Sequence, residues 1–236
     1  MSDQPEPPGQ APVPEPEMPS QAPSQAPPDP IRHNDRVFIQ GKTESGKTVL
    51  ALHLFEQFHG CRRTAIDVKG RLTLGVQPAR SPGELDLAAP LSHYIPSTLE
   101  DPEYEELFKR LWFAGGPRFI DLDESFGPTR AGFAPKYLRM IVQQGREADI
   151  GLLACSQRPV NVETTLQSEA EHVIVFVPRP PKRDLETLAA NMGIEATTLA
   201  RELDELLEEH GLHSHLWYCR RQDELHRCAP LPPSWV

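Results

Sequence analysis

Eight consecutive residues, Gly41-Lys42-Thr43-Glu44-Ser45-Gly46-Lys47-Thr48, fit the pattern G-x-x-x-x-G-K-[ST] at every fixed position. These residue types in this order suit one job. Backbone N–H groups converge on phosphate oxygens, a lysine ammonium reaches the β- and γ-phosphates, and a hydroxyl ligates Mg2+. Lys47 and Thr48 fall at the last two positions, and all eight residues are expected to line the phosphates of a bound ATP. Further along, an apolar run ends in Asp121-Leu122-Asp123-Glu124. Nucleotide hydrolysis takes a carboxylate for the shell of the cation and a base to polarise the attacking water. Asp123 suits the first role and Glu124 the second, with Asp121 a rival for the metal role. A third group, Ser156-Gln157, closes the apolar run 150–155. An amide at that tip can sense the γ-phosphate or orient the water. The chain has no N-K-x-D tetrapeptide for reading guanine, which disfavours GTP. Glu124 suits water better than the hydroxyl acceptor of a kinase.

These groups need elements to hold them. Arg36 to Gln40 reads as a short buried strand and Thr48 to Phe55 as a helix with an apolar face. The loop between them then meets the positive end of the helix dipole. Strands are predicted at 36–40, 64–68, 92–96, 118–122, 150–155 and 172–177. Helices are predicted at 47–58, 99–113, 134–145, 183–192 and 195–209, the second opened by a capping box from Ser97 to Glu100. Strands separated by helices imply right-handed crossovers. The fold class is therefore α/β: a P-loop NTPase with a mostly parallel central sheet flanked by helices. The continuous apolar run 150–155 belongs at its centre. His215 to Cys219 and Glu224 to Cys228 read as a β-hairpin at one edge. Residues 71–90 give no clear signal.

The phosphate loop, a second strand ending Asp67-Val68-Lys69-Gly70, the Asp123-Glu124 strand and Gly151 to Pro159 ending Ser156-Gln157-Arg158-Pro159 together resemble the FtsK–HerA superfamily of DNA-pumping ATPases. The likeness continues into Ala170 to Val177 and covers roughly residues 31 to 195. Glu44 departs from it, standing where the superfamily usually has a second glycine, so its side chain is expected to point away from the phosphates. Members include chromosome translocases, conjugative coupling proteins and the genome-packaging ATPases of membrane-containing, tailless double-stranded DNA viruses. The resemblance implies double-stranded DNA as partner and a homo-oligomeric ring, hexamer or pentamer, built through heterologous contacts. It also implies that Arg146, eleven residues before Gln157, enters the neighbouring subunit's nucleotide site. The bland alternative is a surface arginine paired with Glu147 or Asp149. A viral packaging motor would also meet a capsid vertex or viral membrane protein, in the host cytoplasm or at the virion vertex. The compact chain favours that reading over a cellular or plasmid translocase. A third reading, from another class, is a nucleotide-gated assembly switch that does not pump DNA.

Composition bounds the rest. The 236 residues leave room for one α/β domain, 31–236, after a tail at 1–30 with eleven prolines, five acids and no Lys or Arg. Such a segment cannot bury enough apolar surface to fold, so it is expected to be disordered or polyproline-like. The net charge of −10 speaks against general coating of DNA, although five of those charges belong to the tail. The distribution is more telling: residues 126–146 carry Arg130, Lys136, Arg139 and Arg146 with no acid. Repeated around a ring, such a segment would line a pore. Arg179, Lys182 and Arg183 form a second basic cluster. No apolar run approaches a membrane span and no signal peptide is seen. Cys61, Cys155, Cys219 and Cys228 show no paired spacing and are read as free thiols. His210, His213, His215, Cys219, His226 and Cys228 crowd the C-terminal part without matching a zinc pattern.

Overall fold

The computed structural model describes residues 28–98 and 100–232, so the expectation for residues 1–27 lies outside the described residues. The chain runs β1 (Arg36–Gln40), α1 (Lys47–Glu56), β2 (Arg62–Ile66), β3 (Leu91–Tyr94), α2 (Asp101–Ala114), β4 (Arg118–Leu122), α3 (Lys136–Gln144), β5 (Ile150–Ser156), α4 (Thr164–Ser168), β6 (His172–Phe176), α5 (Lys182–Met192), α6 (Ala196–His210), β7 (His215–Cys219) and β8 (Glu224–Cys228). The eight strands form one sheet in the order β3-β2-β4-β5-β1-β6-β7-β8. From β3 to β6 every pairing is parallel, and the β6–β7 and β7–β8 pairings are antiparallel. The α/β class, the mostly parallel sheet and the C-terminal hairpin at its edge are therefore all present.

Alternation along the strands builds two cores. Val37, Ile39, Phe119, Leu153, Ile174 and Phe176 face Leu50, Ala51, Leu54 and Phe55 of α1. Phe38, Ile120, Leu152, Val173 and Val175 face the opposite layer, made by α2, α3, α5 and α6. Strands covered on both faces must be apolar throughout, and all seven residues of β5 are buried. Parallel pairing also brings the C-terminal tips of β2, β4, β5 and β1 to one edge of the sheet, which is where ligands bind in such folds.

Some boundaries differ from expectation. β2 stops at Ile66, not 68, because Asp67 turns the chain: its carbonyl accepts from the Gly70 amide and its carboxylate from the Leu72 amide. β3 ends two residues early, at Tyr94. The second helix starts at Asp101 with Pro102 in its first turn, and the capping carboxylate is Glu103, which accepts from the Ser97 and Thr98 amides, in place of Glu100. The stretch 71–90 is held by a 3-10 turn at Pro82–Glu84 and a bridge from Ala79 to Tyr94. At the other end, the Asp29 amide donates to Gln222 Oε1 and Arg221 donates to the Pro30 carbonyl, so described backbone from the tail's last residues rests on the β7–β8 turn.

Candidate functional site: the phosphate loop and the strand tips

β1 delivers the chain to the loop, and α1 begins immediately after it. The Gly41 amide donates to the Ser156 carbonyl across the sheet. A Cβ at Gly41 would lie 2.3 Å from Ser45 Oγ and 3.2 Å from Phe176 Cβ, so a larger residue would make Ser45 and Phe176 shift as the loop closes on itself. Gly46 caps α1 in the left-handed region, with φ 97°. This turn aims the first-turn amides of α1, which have no intrahelical acceptor, at one point. Glu44 also sits at positive φ, 65°, with its side chain exposed. Lys47 is only 6% exposed, an unusual setting for an ammonium unless an anion is to sit beside it.

The other tips converge on this loop. Thr48 donates its hydroxyl to Asp123 Oδ1 at 3.1 Å. Thr43 donates to Gln157 Oε1 at 3.3 Å, and Gln157 Nε2 lies 3.5 Å from Glu124 Oε2. Lys69 forms an ion pair with Glu124 at 2.8 Å. The turn carrying Asp123 and Glu124 is pinned on both sides: the Asp123 amide donates to Ile66, and the Ser125 amide and hydroxyl both donate to the Cys155 carbonyl. Loop, acidic pair and glutamine, far apart in the chain, thus share one edge, as their spacing led us to expect.

The carboxylates here are short of partners. Burial pushes the Asp123 carboxyl above its ordinary range, opposed by the Lys47 ammonium and the Thr48 hydrogen bond. Asp121 is pushed well above, first by complete burial and then by the charges of Asp123 and Asp67. Glu124 Oε1, Asp121 Oδ1, Asp67 Oδ1 and Ser45 Oγ are buried without a hydrogen-bond partner. Thr48 and Asp123 fit Mg2+: they offer two hard oxygen ligands side by side, with buried negative charge in need of compensation. Among the described residues no group of three His, Cys, Asp or Glu could hold a metal, so a cation here would be shared with phosphates and water. Asp121 lies within β4, in register with Ala65 and Leu153 and two residues before Asp123.

Other sequence-derived candidates lie elsewhere. Arg146 follows α3 and pairs with Glu171 at 2.7 Å and Asp35 at 3.5 Å, rather than with Glu147 or Asp149. Those acids precede β6 and β1, so Arg146 sits at the sheet edge opposite its own phosphate loop, a strand length of roughly 16 Å away. In the basic segment Arg130 pairs with Asp101, and the Lys136 backbone amide donates to Glu105. In the second cluster, Arg179 pairs with Asp204. Of the C-terminal histidines, His215 and His226 are buried in the hairpin, and burial holds His215 down to about 4. All four cysteines are free. Among the described residues no helix is long and apolar enough to cross a membrane.

Two features escaped the sequence. One is the contact of Lys69 with Glu124, for which the only signal was its place after a strand tip. The other is a largely apolar pocket of about 250 Å³ beside the loop, lined by Gly46, Val49, Phe176, His213, Pro230 and Leu231, with Glu44 at its margin.

Sheet, loop and tips define the P-loop NTPase fold. No protein-family model matches the chain, and no curated protein matches it by sequence. Solved structures do. The genome packaging NTPase B204 from Sulfolobus turreted icosahedral virus 2, in complex with ATP-gammaS, matches with a TM-score of 0.68 and 17% identity over 86% of this chain and 100% of that one. Its complex with AMP matches with a TM-score of 0.70 and 18% identity over 85% and 100%. The pCW3 conjugation coupling protein TcpA in monomer form with ATPgS matches with a TM-score of 0.57 and 14% identity, covering 83% of this chain and 59% of that one. At such identities the likeness speaks for the fold, and at that level it agrees with the FtsK–HerA resemblance of the motifs.

Proposed function

We propose that this chain is an ATP-driven double-stranded DNA translocase that packages a viral genome into a preformed capsid. The observation that carries the hydrolytic part is the convergence of Lys47, Thr48, Asp123, Glu124 and Gln157 on one sheet edge, with buried carboxylate oxygens left unpaired. In this reading Lys47 and the loop amides hold the phosphates, and the base lies in the pocket beside Val49 and His213. Thr48 and Asp123 hold Mg2+, which when bound offsets charge on the phosphates. Glu124 takes a proton from the attacking water, and Gln157, which touches both Thr43 and Glu124, orients that water against the γ-phosphate. The fold shared with a viral packaging NTPase supports the packaging role. The likeness to a conjugation coupling protein supports a cellular or plasmid translocase as the second reading. A DNA partner, a ring of five or six subunits and a capsid vertex or viral membrane contact all belong to this proposal, as does action in the host cytoplasm or at the virion vertex.

Arg146 is too far from its own loop to serve it, so it acts in trans, leaving Glu171 to reach a neighbour's γ-phosphate. The test is ATPase activity with and without double-stranded DNA, alongside oligomer mass. DNA should stimulate hydrolysis by a closed oligomer. Arg146→Ala should bind ATP but lose about 10³-fold in kcat. Mixing it with Lys47→Ala subunits should restore part of that rate, since those subunits donate Arg146 to intact loops. Full activity of a dilute monomer, or no rescue in mixtures that co-assemble, rules out the trans role. DNA-independent hydrolysis favours the assembly switch.

A further inference from the structure

We infer that Lys69 is a positioning residue for hydrolysis: its ammonium holds Glu124 Oε2 so that Oε1 is the oxygen presented to the attacking water. The inference rests on the reading of Glu124 as the base.

Glu124 is 7% exposed, and its two oxygens have different surroundings. Oε2 accepts from Lys69 Nζ at 2.8 Å and lies 3.5 Å from Gln157 Nε2. Oε1 is buried with no partner. A carboxylate free to rotate about its last torsion would not keep that distinction. The Lys69 ion pair holds the plane of the carboxylate, since intermediate rotations would give up a charge-assisted hydrogen bond, and so keeps one oxygen engaged and the other unpartnered.

The loop that carries Lys69 is itself docked for this. Asp67, at the tip of β2, accepts the Leu72 amide at 2.8 Å and closes the turn. Val68 packs against Gly127, where a Cβ would come within 2.7 Å of its Cγ1, so the Lys69 turn and the turn after Glu124 fit only because residue 127 is glycine. The Lys69 side chain is 33% exposed and packs in neither core, so its removal leaves the fold standing.

The full-length protein is assayed with ATP, and binding is measured separately with a non-hydrolysable ATP analogue. Lys69→Met keeps the length of the side chain and removes the charge. It should lower kcat about 10- to 100-fold, the cost of a small misplacement of a reacting group. KM for ATP and the Kd of the analogue should stay within about 2-fold, as should the melting temperature within error. Lys69→Arg, which can still donate to Oε2, should recover most of the rate. Lys69→Met added to Glu124→Gln should slow nothing further, because the two act through one group. Three outcomes overturn the inference: a loss of analogue binding that matches the loss of kcat, an additive double variant, or faster hydrolysis by Lys69→Met. If instead Glu124→Gln alone hydrolyses ATP at the wild-type rate, the base assignment fails first, whatever Lys69 does.

Discussion

At the edge where the parallel strands begin, Asp35 and Glu171 are buried and fully engaged. Asp35 receives Arg221 through both carboxylate oxygens at 2.9 Å and the Arg32 amide at 2.7 Å. Glu171 receives the Arg36 amide at 2.7 Å, the Arg36 guanidinium and Arg146. His172 is held between Trp217, which donates to Nδ1 at 3.0 Å, and Asp35. At the edge where the strands end, Asp67, Asp121 and Glu124 are just as buried, yet each keeps an oxygen with no partner. Electrostatics follow the same division. Burial would raise Asp35, but hydrogen bonds from His172, the Arg32 amide and Arg221 outweigh it and hold the carboxyl well below the usual range. Asp121 and Asp123 are displaced upward. Buried carboxylates satisfied within the chain are architecture; buried carboxylates that keep an unpaired oxygen, clustered at one edge, point to a place for a bound group.

The sharpest way to break this comparison is Glu124→Gln. The amide cannot take a proton, so kcat should fall by about 10²–10⁴ while binding of a non-hydrolysable ATP analogue persists. Wild-type turnover would mean that the unsatisfied edge is not catalytic through this residue.

Asp35→Asn probes the satisfied edge. Breaking a buried pair leaves Arg221 and His172 short of charge, at a cost of about 3 kcal/mol in denaturant melts at pH 7. The sign follows from the depressed carboxyl. Its stabilisation is present above the unfolded value of about 3.9 and disappears as pH falls through the lower folded value. The wild-type advantage should therefore shrink in strong acid. Analogue binding by the folded variant should be unchanged; weaker binding would show that the two edges are coupled.

The smallest effect is expected at Asp121→Asn, and it should be favourable. A carboxyl raised by folding costs stability once pH exceeds its unfolded value, and the cost grows up to the folded value. The variant should gain about 1 kcal/mol at neutral pH, and the gain should vanish as pH falls below the unfolded value of about 3.9. Turnover near wild type would leave Asp123 as the metal-shell carboxylate; loss of turnover would restore Asp121 to that role.

Much of the site was legible because its parts are local. The loop's glycines answer to a left-handed cap at Gly46 and a close approach at Gly41, and both needs arise within eight residues. The acidic pair and Gln157 were legible because each ends an apolar run, and parallel strands carry such ends to a common edge. The helix starts and the turn at Asp67 were less so, since Glu103 and Asp67 cap backbone that the local pattern assigned to neighbouring elements.

Sequence by itself determined the class of fold, the phosphate loop and which residue types close the strands, because periodicity and loop stereochemistry act over a few residues. Only the tertiary structure decided which charges meet. Lys69 reaches Glu124 because β2 lies beside β4, and Arg146 takes Glu171 and Asp35 because β6 and β1 are neighbours. Asp149, one of the two nearby acids expected to pair with Arg146, pairs with His33 instead. Strand order is set by how all the apolar faces pack at once, and no local run of residues contains it.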